Sequence, residues 1–282
     1  MKTILVPTDF SETARNATQY AIHLAKDMKA KVLLMHVYHV PIAPAEEPTM
    51  AFTSEELQQR NEELLKKEAD LLMEKTGVEV NYLAQIGLAV DEIIDEEKNA
   101  DLIVMGMQGA SRISEMVLGS ITTSVLRKAE KPLIVVPEKA EYKKPEIIVY
   151  ACDFDPRTNK HTLDALKNLV TLFHSKIIVM NVKRKNELVT AEESNERMKV
   201  ENQLTDVEHI YYSQYFPENN DLVNGINDFV KSHEADMIAM VPHKHNLIER
   251  LFHRSISKQM AFHTNIPIIA LPDNRTTMAT YL

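Results

Sequence analysis

Residues 100–122 read ADLIVMGMQGASRISEMVLGSIT, and the fold is decided here. Leu102–Met105 is a short apolar run with no polar alternation, the pattern of a strand buried on both faces of a parallel sheet. Gly106-Met107-Gln108-Gly109 follows, then the nine residues Ala110 to Leu118, then Gly119-Ser120-Ile121-Thr122 at the start of a helix expected over Ser120–Ala129. Glycine lets backbone N–H groups approach an anion closely. The opening turn of a helix adds free N–H groups and a favourable dipole. Ser120 and Thr122 bring hydroxyl donors. The full spacing G-x2-G-x9-G-S, placed strand to helix, points to an anion pocket for phosphates. Any one of these glycines alone reads as an ordinary turn or capping residue.

Similar runs lie upstream and downstream at Thr3–Val6, Val32–Val37 and Leu133–Val136, with a weaker strand over Val78–Gln85. Helical stretches alternate with them. Ser11 caps a helix running to about Met28, and Thr53–Thr76 and Val90–Asn99 complete the set. This is a doubly wound α/β unit, which binds ligands beyond the carboxyl ends of its strands.

The unit occurs twice. MKTILVPTDF at 1–10 matches PEIIVYACDFDP at 145–156, with Asp9 and Asp153 paired at an offset of 144. KVLLMHV at 31–37 matches KIIVMNV at 176–182. ADLIVM at 100–105 matches ADMIAM at 235–240, and KPLIVVP at 131–137 matches NIPIIALP at 265–272, both at an offset of 135. Four matches in one order make an internal repeat. The fold class is therefore α/β, with two Rossmann-like doubly wound parallel-sheet domains in tandem, over 1–140 and 144–282. The boundary falls in the charged stretch Glu138–Lys144.

The opening Val6-Pro7-Thr8-Asp9-Phe10-Ser11 and the G-x2-G-x9-G-S motif together resemble the universal stress proteins of the UspA superfamily, in tandem form and of the ATP-binding branch. That resemblance implies an adenine nucleotide alpha hydrolase-like, pseudo-two-fold arrangement. It implies that Asp9 and Val37, with Pro7 nearby, hold adenine and ribose, and that Met105 flanks the nucleotide. It places the phosphates at Gly106, Gly109, Gly119, Ser120, Ile121 and Thr122. The implied ligand is ATP, with AMP and ADP as alternatives and Mg²⁺ as a companion ion. It also implies that the last strands of the two copies, Leu133–Val136 and Ile266–Leu271, pair antiparallel inside one chain as in a family dimer, with further oligomerisation open. An unpaired strand edge favours such a partner.

The second copy departs at the decisive positions. Val241, Lys244 and Arg254 stand opposite Gly106, Gly109 and Gly119, and Pro242 removes an N–H donor. Ser255 and Ser257 keep hydroxyls opposite Ser120 and Thr122, and Asp153 survives. The second site reads as lost for ATP; a smaller anion held by Lys244, His253 and Arg254 is the rival reading. His243, His245, His253 and His263 lie close together, but Lys244, Arg250 and Arg254 repel a cation, so the stretch reads as a polar loop without a metal site. Met28, Met35, Met73, Met105 and Met180 read as core filling. Glu55–Glu74 reads as a solvated helix face, and Pro41–Thr53 as a loop near the nucleotide.

Composition narrows the function. The net charge is −9 and apolar residues make up 44%, which fits a globular chain and disfavours nucleic-acid binding. No apolar run is long enough to span a membrane, no secretion signal is seen, and Cys152 is the single cysteine, so a cytoplasmic location is expected. The halves are unequal. Residues 1–140 hold 15 Lys and Arg against 22 Asp and Glu, the rest 17 against 19, and only Gly225 of the six glycines is in the second half. That asymmetry points to divided roles. Walker and dinucleotide glycine motifs are absent, as are a paired carboxylate set and a base beside the glycines. The expectation is an ATP-binding stress-response or signalling module with little or no catalysis and a protein partner of unknown identity. A slow ATPase or phosphotransferase is the first alternative, a nucleotide-free scaffold the second.

Overall fold

In the computed structural model, residues 2–39, 53–108, 118–152, 154, 160–182, 191–204, 210–215, 222–242 and 266–272 are described. β1 (Thr3–Pro7) sits centrally in the first half because Ile4, Leu5 and Val6 bury side chains on both faces. α1 (Glu12–Met28) starts at Ser11, whose hydroxyl accepts from the Ala14 N–H at 3.2 Å, and stops at Lys29 in the left-handed region. β2 (Lys31–Tyr38) follows. α2 (Ser54–Thr76) begins with the reciprocal Thr53–Glu56 capping box and ends at Gly77, φ 71°. Then come β3 (Val80–Ile86), α3 (Ala89–Glu96), a 3₁₀ turn (Glu97–Asn99), β4 (Leu102–Gly106), α4 (Ser120–Lys128) and β5 (Leu133–Val136). The second half runs β6 (Ile147–Ala151), α5 (Lys160–Phe173), β7 (Lys176–Val182), α6 (Ala191–Gln203), β8 (Ile210–Tyr215), α7 (Leu222–Ser232), β9 (Met237–Met240) and β10 (Ile268–Ala270).

One ten-stranded sheet results, in the order β3-β2-β1-β4-β5-β10-β9-β6-β7-β8. Every pairing is parallel except β5 with β10, which is antiparallel, with Val135 opposite Ile268 and Leu133 opposite Ala270. The antiparallel seam expected from the resemblance is therefore present, though β10 is shorter than Ile266–Leu271. Two core layers flank the sheet. Residues of α1, α2, α5 and α6 pack on one face, and those of α3, α4 and α7 on the other. Ile134 and Ile269 join the first layer at the seam, Val135 and Ile268 the second, and all four are fully buried. Burial of each is worth about 1.5–3 kcal/mol, so the seam is part of the core.

The two half-sheets repeat in their bonding as well as their order. Asp101 Oδ2 accepts from the N–H groups of Lys2 and Thr3, and Asp236 Oδ2 accepts from those of Glu146 and Ile147. Asn16 Nδ2 donates to the Pro137 carbonyl at 3.0 Å, and Thr162 Oγ1 donates to the Pro272 carbonyl at 2.7 Å. The connection between the halves is tied down. Tyr142 donates to Asp27 at 2.6 Å and stacks on His23, and Lys143 pairs with Asp236 at 2.8 Å. Burial and then the charge of Asp236 push the Tyr20 hydroxyl far above its ordinary range.

Several expected elements shift. The strand expected at Val78–Gln85 runs two residues later at its start, and the helix expected at Val90–Asn99 tightens into 3₁₀ form at Glu97. The Glu97 carboxylate is turned inward there, accepting from the N–H groups of Glu130 and Lys131. Met73 is 40% exposed, which corrects its assignment to the core. α2 covers only the edge of the sheet, so Leu65, Ala69 and Leu72 alone are buried and Met73 falls outside that strip. Residues 41–52 of the loop read at Pro41–Thr53 lie outside the described residues. No described helix is long and apolar enough to cross a membrane.

Candidate functional site

A cavity of about 270 Å³ opens beyond the carboxyl ends of β1, β2 and β4. Pro7, Thr8 and Asp9 form its wall where β1 ends. Met35 and Val37, two residues apart on β2, share one face, and Ala14 comes from the first turn of α1. Ala89 and Ile93, one turn apart, contribute the start of α3. Met105, Gly106 and Gln108 close the β4 side, and Gly119, Ser120, Ile121 and Thr122 bring the opening of α4. Every site residue expected from the sequence lines this cavity except Gly109, which lies outside the described residues. Sequence reasoning missed Thr8, Ala14, Met35, Ala89, Ile93 and Gln108. Met35 was findable as the same-face neighbour of Val37; Ala89 and Ile93 belong to a helix whose approach only the fold reveals.

The start of α4 differs from the starts of α1 and α2. Those two have side-chain caps and acidic residues in the first turn. α4 has Gly119 as its N-cap, no side-chain cap and no acidic first-turn residue, while Arg127 and Lys128 lie in its last turn. Gly119 donates its own N–H to the Met107 carbonyl at 2.8 Å, and Thr123 closes the turn onto the Gly119 carbonyl. The N–H groups of Ser120, Ile121 and Thr122 then head the helix at the cavity with the positive end of its dipole. Thr122 departs from the expectation of a hydroxyl donor for the ligand. Its buried Oγ1 donates to the Gly106 carbonyl at 3.0 Å and so ties α4 to β4. Gly106 also has a packing reason, because a Cβ there would meet the Thr13 carbonyl oxygen at 2.9 Å.

Among the described residues, Asp9 is the only ionisable side chain in the lining, and its Oδ1 accepts from the Ser11 N–H at 3.1 Å. The mainly apolar half of the cavity suits a flat ring, and the α4 end suits an anion. Among the described residues, no group of three or more His, Cys, Asp or Glu is placed to hold a metal ion. In the second half, Val241 is buried at the position matching Gly106. Lys244, Arg254, Ser255, Ser257, Asp153 and the histidines at 243, 245, 253 and 263 lie outside the described residues.

A family model described as the Universal stress protein family matches residues 1–137. Two universal stress proteins of Methanocaldococcus jannaschii are similar to this chain. One is 34% identical over 149 residues, covering 51% of this chain and 84% of the relative. The other is 31% identical over 156 residues, covering 49% and 96%. The chain belongs to the universal stress protein family. A solved universal stress protein from Archaeoglobus fulgidus superposes on 96% of this universal stress protein and 98% of its own chain, with a TM-score of 0.71 at 17% identity. That likeness bears on the fold, and it extends across both half-sheets.

Proposed function

We propose that this universal stress protein binds one adenine nucleotide, ATP or its AMP and ADP relatives, in the cavity of residues 1–140. It acts in the cytoplasm as a stress-response or signalling module with little or no catalysis, through a protein partner of unknown identity. The observation that carries this reading is the meeting of an uncapped helix start with an apolar slot in one cavity. Pro7, Asp9 and Val37 take adenine and ribose, with Met105 beside them. Gly106, Gly109 and the Gly119–Thr122 turn take the phosphates, Thr122 through its N–H because its hydroxyl is already used. Among the described residues the lining offers Mg²⁺ one carboxylate, Asp9, so such an ion would be held mainly by phosphate oxygens and water. A lining whose described residues include Asp9 as their only ionisable side chain is suited to holding a nucleotide more than to turning it over.

Residues 144–282 form the second universal stress protein domain in this reading, without the nucleotide and serving as the partner a single-domain relative finds in its dimer. The paired bonds of Asp101 and Asp236 support a shared ancestry of the two domains. Titration calorimetry with ATP tests the whole reading, with one site expected per chain. At one hundred times the dissociation constant, bound ATP stabilises the fold by about 2.7 kcal/mol. Two equivalent sites, or no heat at all, contradict it. Phosphate release at enzymatic rates that Asp9→Ala abolishes would favour the ATPase alternative instead.

A further inference from the structure

We propose that His36, which does not line the cavity, is the positioning residue that fixes the Thr8–Asp9–Phe10 wall. The proposal rests on the nucleotide reading of that cavity. Met35 and Val37 point into the cavity from β2, so His36 between them faces the opposite side of the sheet. From there its Nδ1 donates to the Thr8 carbonyl at 2.7 Å. Its ring also packs against Phe10, with centroids 4.6 Å apart. One side chain thus grips the wall immediately before and immediately after Asp9.

The wall needs such a grip. Phe10 has φ 61°, an unfavourable conformation for a residue with a side chain. Thr8 is buried, and all its polar groups are engaged: its N–H donates to the Met35 carbonyl, its carbonyl accepts from His36, and its hydroxyl accepts from the Phe10 N–H. Losing the His36 bond would leave the Thr8 carbonyl without this donor.

The second half contains the same arrangement in different chemistry. The Cys152 N–H donates to the Met180 carbonyl, the Cys152 carbonyl accepts from Asn181 Nδ2 at 3.0 Å, and Cys152 Sγ accepts from the Phe154 N–H. Phe154 has φ 48°. Asn181 matches His36 at the offset of 145 that relates the second strands. What both halves keep is a donor at this position aimed at that carbonyl. The imidazole itself is not kept, so asparagine is the conservative replacement.

Two readouts on the full chain test this: calorimetric affinity for ATP, and amide hydrogen exchange at Phe10 and Ser11 without nucleotide. His36→Leu is expected to weaken ATP binding about tenfold, or about 1.4 kcal/mol, and to speed exchange at both amides. His36→Asn restores the donor, so it stays within about threefold of the parent in both readouts. In the parent, ¹⁵N spectra place the proton of neutral His36 on Nδ1, since a carbonyl only accepts. Parent-like affinity in His36→Leu overturns the proposal, as does equal damage by Leu and Asn or a proton on Nε2. Should the parent bind no ATP, the nucleotide reading fails on its own. The exchange series then decides the positioning role, and equal rates in all three proteins overturn it.

Discussion

Gly106→Ala is the smallest change that tests how the cavity is built. The added Cβ would lie 2.9 Å from the Thr13 carbonyl oxygen, 3.1 Å from its carbon and 3.3 Å from the Gln108 oxygen. All three are backbone atoms, so no rotamer change relieves the contact. Ordinary contact begins near 3.4 Å, so α1 and β4 separate by roughly half an ångström at Thr13. Overpacking of this kind costs about 1–3 kcal/mol. α1 carries Ala14 and β4 carries Met105, so the same shift widens the cavity across its middle. The expected result is a loss of about 1–3 kcal/mol in urea unfolding together with about tenfold weaker ATP binding. Gly77→Ala is the control. Gly77 has φ 71° and nothing among the described residues within 4 Å of a Cβ, so it loses about 1 kcal/mol through backbone conformation alone and keeps the parent affinity. Parent-like stability and affinity in Gly106→Ala would refute the packing argument, and equal affinity losses in both variants would show that the effect is not local.

Further perturbations address other parts of the molecule. Gly109→Arg is expected to abolish calorimetric ATP binding with the circular dichroism of the parent, and retained affinity speaks against the phosphate loop. Val135→Asp places a carboxylate in the fully buried seam and should lose more than about 4 kcal/mol, separating or unfolding the halves; an unchanged unfolding midpoint contradicts the seam's role. Thr13→Val replaces a buried hydroxyl that has no hydrogen-bond partner among the described residues, so unfolding should show a gain of up to about 1 kcal/mol, and a large loss would reveal an unrecognised bond. Desolvation holds the Glu97 carboxyl above its ordinary value of 4.5, outweighing the N–H groups of Glu130 and Lys131. Its folded pKa exceeds its unfolded one, so its contribution is full below about pH 4.5 and is lost as pH rises through the folded value. Glu97→Gln should flatten that decline, and identical pH profiles would exclude it.

Elements were legible where one residue type does one physical job. Ser11, Thr53 with Glu56, and Gly77 mark helix ends by capping, and the unalternated Val, Ile and Leu runs mark buried strands. The glycine spacing located the cavity because a strand end and a helix start must lie within one short span of chain. Properties set by a distant neighbour were not legible. Thr122 reads as a free donor until the Gly106 carbonyl is found beneath it, and Met73 reads as core until α2 is seen at the sheet edge. His36 sits in an apolar strand with nothing in the sequence to join it to Thr8, 28 residues earlier. The seam between β5 and β10 came from the resemblance, since residue patterns alone do not say which edge strands meet.

That seam has a consequence for the chain as it is made. All pairings of the first half-sheet are complete once β5 has emerged, but its outer edge waits for β10, which starts at Ile268, whereas β5 ends at Val136. At synthesis rates of about 5–20 residues per second, that edge stands open for roughly 7–26 seconds. An unpaired apolar edge is a template for any matching strand. On a crowded polysome the nearest such strand is the β5 of the neighbouring nascent chain. The protein therefore depends on its own last strand arriving before a sibling's edge does. Slowed translation through the second half should raise the share of chains paired with the wrong copy.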